Sequence, residues 1–64
     1  MKVFRIDANM YEVRIDPNHW ATVADTPEGW YIVNQALHVI SNDGALGKKL
    51  IKAVEEYAKE AATR

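Results

Sequence analysis

The chain has no cysteine, three glycines, two prolines, no apolar run longer than Trp30-Tyr31-Ile32-Val33, and a formal net charge of only −1. Each shortage excludes something. Without cysteine there are no disulfides and no thiolate zinc sites, the usual staples of so short a fold. A folded chain of 64 residues buries only about 60% of the surface its unfolded form exposes. Stability must therefore come from one small core, alone or with the help of self-association. No apolar stretch approaches the roughly 18 residues of a membrane-spanning helix, so no membrane role is expected. Met1 to Asp7 returns to charge before a signal-peptide apolar region forms, and a cytoplasmic location is the expectation. The near-zero net charge lacks the basic excess of general nucleic-acid binders, although it leaves room for a local basic patch. With 48% apolar and 27% charged residues, the composition is that of an ordinary folded domain.

Short alternating segments fill the first two thirds of the chain. Lys2 to Asp7 and Met10 to Asp16 read as two strands joined by Ala8-Asn9, with Asn9 supplying the left-handed conformation of a tight turn. A two-residue turn sets Ile6 opposite Tyr11, Arg5 opposite Glu12 and Phe4 opposite Val13, apolar with apolar and cation with anion. That register places Phe4, Ile6, Tyr11, Val13 and Ile15 on the core face. Asp16-Pro17-Asn18 breaks the ladder, and His19 to Ala24 forms a third strand. Asp25-Thr26-Pro27-Glu28-Gly29 is either a hairpin loop or a helix start with Thr26 as N-cap and Pro27 in the first turn. The hairpin is preferred, because Trp30-Tyr31-Ile32-Val33 is aromatic and β-branched throughout. Residues 36–41 fit a fifth strand or a short helix.

The last third is a helix. Leu46, Leu50, Val54, Tyr57 and Ala61 recur at helical spacing, flanked by Ile51 and Ala58, with lysines and glutamates opposite. The whole chain reads as one α+β domain: residues 2–41 mainly β, an antiparallel meander of about four strands, and a C-terminal amphipathic helix over 44–63 packed on one face.

Catalytic constellations are sparse. His19 and His38 stand in no metal-ligand spacing. Ser41, His38 and Asp43 are chain neighbours with neither a strained nucleophile turn nor an oxyanion hole. The chain is therefore expected to bind rather than catalyse, with no cofactor and no metal. Two segments offer binding chemistry. Trp30 and Tyr31 are adjacent in a strand, so alternation sends one away from the core, onto a second face with Val3, Met10, Val23 and Val33 as candidate neighbours. Tyr31 is the better outward candidate, since Trp30 shares its parity with Ile32. Aromatic residues on such a face suit a protein interface, and the leading expectation is a non-enzymatic accessory or inhibitory module that engages a protein partner or forms a homo-oligomer. The second reading is a nucleic-acid or phosphate binder, in which Gly44, Gly47, Lys48, Lys49 and Lys52 gather backbone N–H groups and ammonium groups at the helix start. This segment is not a P-loop, because Asn42 and Lys49 stand where that motif needs glycine and Ser or Thr.

Overall fold

A computed structural model describes residues 1–62. Thr63, the last residue of the expected helix, lies outside them. Five strands, β1 (Lys2–Asp7), β2 (Met10–Asp16), β3 (His19–Thr26), β4 (Gly29–Asn34) and β5 (Val39–Ile40), precede one helix, α1 (Ala45–Ala62). The strands pair in chain order as an antiparallel meander, and α1 packs on one face. The α+β class is as expected. Residues 29–34 form a strand, and the undecided segment supplies a short fifth one.

The first hairpin departs from the expected register. Asp7 pairs with Met10 across the two-residue turn, but beyond the turn Arg5 pairs with Tyr11, Phe4 with Glu12 and Val3 with Val13. A bulge at Ile6 accounts for the one-residue shift, which turns every earlier side chain of β1 to the opposite face. Val3 thus joins the core, whereas Phe4 and Ile6 are exposed. Asn9 does not have a positive φ. Turns other than the primed types splay their flanking strands, and a bulge beside the turn absorbs that mismatch. Asn9 acts instead as a tether: its side chain donates to Asp25 O at 3.0 Å, and Asp25 N donates to Asn9 O at 2.9 Å. The second hairpin repeats the device, with Asp16 opposite His19, Arg14 opposite Trp20 and a bulge at Ile15. In both turns the leading aspartate accepts from a turn amide, Asp7 from Ala8 and Asp16 from Asn18. The third turn, Pro27-Glu28, has Gly29 at φ 121°, a conformation that glycine takes without penalty.

Among the described residues six apolar side chains are fully buried: Val13, Ala21 and Val23 of the central strands, Ile32 of β4, and Leu50 and Val54 of α1. Val3, Tyr11, Ile15, Trp30, Ile40 and Ile51 pack around them. Tyr11 and Tyr57 meet edge to face with centroids 6.1 Å apart, a favoured aromatic geometry. The middle of the helix stripe lies on the sheet as its spacing predicts, but Leu46, Ala58 and Ala61 are exposed. A helix of 18 residues is about 27 Å long at roughly 1.5 Å per residue, longer than the strands beneath it, so both ends of the stripe overhang. Val23, expected on the outer face, is in the core, as is Val3 around its edge.

The loop between β4 and β5 turns around Asn34. Its Oδ1 accepts from the Ala36 and His38 amides, both at 2.9 Å, and its backbone pairs with His38 O and the Leu37 amide. This pattern forces Leu37 to φ 65° while leaving its side chain 83% exposed. A left-handed conformation costs a β-carbon-bearing residue about 1–2 kcal/mol, and asparagine is among the few that tolerate it. Leu37→Asn is expected to stabilise the fold by about 0.5–1 kcal/mol and to raise the melting temperature by several degrees. A lower melting temperature would mean that the leucine side chain contributes packing.

Candidate binding face of the sheet

Antiparallel pairing fixes which residues share a face, since directly opposite residues point the same way. The helix side carries the row Arg5–Tyr11–Val23–Ile32–Ile40 and the row Val3–Val13–Ala21–Asn34. The outer side carries three rows: Asp7–Met10–Ala24–Tyr31, then Phe4–Glu12–Thr22–Val33–Val39, then Lys2–Arg14–Trp20. No helix covers this side among the described residues. Tyr31 is 51% exposed, Phe4 46%, Val39 64% and Trp20 37%. Met10 is exposed as well, and Thr22 and Val33 between them are half-buried.

The structure therefore separates the two aromatic candidates. Tyr31 stands on the outer face, and Trp30 lies on the helix side, half-buried against the core. Asn42 Nδ2 donates to Trp30 O at 2.7 Å and ties the start of the helical segment to β4. Trp20 and Phe4 join Tyr31 outside. Trp20 is outward because the alternate residues Ala21 and Val23 face the core, the reverse of the expected direction of Val23, whereas Phe4 is outward only because of the bulge at Ile6.

Charge on the outer face is largely self-neutralised. Arg14 Nη2 donates to Glu12 Oε2 at 3.1 Å, and its guanidinium lies 5.9 Å from the Trp20 ring centroid. Lys2 sits at the strand end. In the turn beyond, His19 Nδ1 lies 2.8 Å and 2.9 Å from the two Asp16 carboxylate oxygens. This contact, with the Asn18 amide as a second donor, holds the Asp16 carboxyl below the usual carboxylate range. Both side chains are exposed.

The glycine-lysine segment is a helix start with a structural constraint in it. Lys48 N donates to Gly44 O at 3.0 Å, which makes Gly44 the N-cap, and Lys48, Lys49 and Lys52 are all exposed. Gly47 is buried against the backbone of Ser41. A Cβ there would overlap the Ser41 carbonyl oxygen and stand 3.0 Å from its carbon and 3.2 Å from Asn42 Cα, so packing accounts for this glycine. Ser41 Oγ accepts from the Asp43 amide at 3.2 Å, a turn contact rather than a nucleophile's arrangement. An open groove of about 390 Å³ runs between the start of β1 and the later half of α1, lined by Met1, Val3, Ala53, Glu56, Tyr57 and Glu60. Among the described residues no cluster of His, Asp and Glu has the makings of a metal site, and no helix is long and apolar enough to cross a membrane. Comparison with protein-family models, curated proteins and solved structures gives no match for this chain.

Proposed function

We propose that the chain is a small non-enzymatic binding module, an accessory or inhibitory factor, that engages a protein through the outer face of its sheet. One observation carries the reading: Phe4, Met10, Trp20, Tyr31 and Val39 are exposed together on a single continuous face. Aromatic residues and methionine are enriched at protein interfaces, where a few of them act as anchors. Monomers rarely leave larger apolar patches than a few hundred Å² without a use for them.

The two adjacent aromatics provide the test. Tyr31→Ser is expected to leave the fold within about 1 kcal/mol of wild type and to weaken partner binding by more than about 1–2 kcal/mol, the loss typical of an interface anchor. Trp30→Ser should do the opposite, costing about 1–3 kcal/mol of stability through lost packing. Thermal melts are read beside capture of a discrete protein from the source cell. Equal destabilisation in both variants with undiminished capture would make both residues structural and end the proposal. Capture of nucleic acid that is released by salt and lost in Lys48→Ala/Lys49→Ala would replace it with the anion-binding reading.

A further inference from the structure

We infer that the occupant of the outer face is a second copy of this chain, packed sheet on sheet about a two-fold axis; this rests on reading that face as a binding surface. Area, charge and shape support the assignment. Four of the strands run six to eight residues, about 20 Å at roughly 3.3 Å per residue, and five strands about 4.8 Å apart span a similar width. The face therefore measures on the order of 400–500 Å² in plan. Two copies bury about 1,000 Å² between them once the relief of the side chains is counted, near the lower limit of specific association. The expected dimer is accordingly a weak one, with a dissociation constant in the micromolar range.

Charge favours a copy over a charged partner. Glu12 and Arg14 neutralise one another on the face at 3.1 Å, which leaves, among the described residues of the three outer rows, one charge of each sign at the two ends of β1, Lys2 and Asp7. Two identical faces meet without strong like-charge opposition, and neither presents the basic field that nucleic acid or an acidic membrane would select. An isologous interface must also be complementary to itself. Here large side chains flank small ones: in the row Asp7–Met10–Ala24–Tyr31 the alanine of the central strand lies between a methionine and a tyrosine, and the neighbouring row places Thr22 on the same strand. Facing sheets about 10 Å apart interdigitate through such relief. Pairing along the β1 edge is the less favoured geometry, because Lys2 and Arg5 stand on that strand and charge on an edge discourages strand addition.

The experiment is sedimentation equilibrium of the full chain from low micromolar to millimolar concentration, with nuclear Overhauser contacts measured between labelled and unlabelled copies. The expected result is a monomer–dimer equilibrium with intermolecular contacts from Tyr31 to Thr22 or Ala24. Tyr31→Ser, and independently Val39→Glu, should raise the dissociation constant about tenfold or more. The melting temperature of the wild type should rise with concentration. A monomer at millimolar concentration overturns the dimer; if Tyr31→Ser then still abolishes capture of a different protein, the binding face stands with another occupant. A dimer whose intermolecular contacts lie along β1 and whose affinity neither variant changes overturns the sheet-on-sheet inference, and undiminished capture of another protein by Tyr31→Ser would remove the binding-face reading as well.

Discussion

Gly47→Ala is expected to destabilise the protein by about 3 kcal/mol, although the same change in an unconstrained helix would stabilise it by about 1 kcal/mol. The sign is decided by one contact. The added methyl group would overlap the backbone of Ser41, a carbonyl that cannot rotate aside as a flexible side chain would, with Asn42 Cα a further 3.2 Å neighbour. To make room, the first turns of α1 would have to lift from the chain entering it. That movement would also strain the Asn42 bond to Trp30 O, which holds the segment on β4. For a domain of this size about 3 kcal/mol corresponds to a fall of more than about 12 °C in melting temperature. Gly44→Ala is the control. Its β-carbon would lie 3.6 Å from Ser41 O, an ordinary contact, and loss of a glycine N-cap costs less than about 1 kcal/mol. Melting both variants checks the prediction. A neutral Gly47→Ala would mean that α1 does not sit this close to Ser41, and the lysines after it would then follow a differently shaped helix start.

Leu50→Ala is expected to cost about 2–5 kcal/mol, the range for emptying a core leucine site. Leu50 is fully buried among Val13, Ala21, Val23, Ile32 and Val54. This is one of six fully buried side chains among the described residues, so little surrounding apolar mass exists to collapse into the space. A chain of this length has a total stability of roughly 3–10 kcal/mol, and the variant is expected to be marginal or largely unfolded at physiological temperature. Leu46→Ala should lose less than about 1 kcal/mol, because that leucine is 42% exposed at the overhanging start of the helix. Urea titrations of the two variants distinguish them. Equal losses would place α1 elsewhere along the sheet.

Local sequence signals determined most of the elements. Alternation marks the first hairpin, aromatic and β-branched composition favours β4, helical spacing marks α1, and Asp-Ala-Asn, Asp-Pro-Asn and Pro-Glu-Gly mark the turns between strands, whereas the segment of β5 fits either strand or helix. The outward direction of Tyr31 was legible for the same reason: it and Ile32 are successive strand residues, and the more apolar parity faces the core. What tertiary structure decided was how those elements are set against each other. The bulge at Ile6 shifts β1 by one residue and exchanges Phe4 for Val3 in the core. Composition points the other way, since Phe4 and Ile6 share one parity of that strand while Val3 shares the other with the charged Arg5 and Asp7. Asn9 is a tether to Asp25, a partner sixteen residues away that no turn rule contains. Leu37 is left-handed because Asn34 gathers the loop around it, against its own preference. Gly47 looks, in sequence, like part of an anion loop, and only the approach of Ser41 gives it a packing role. Local preferences choose helix, strand or turn within a few residues, whereas register, helix placement and close approach minimise the free energy of the whole core at once, and that sum includes contacts the linear order does not display.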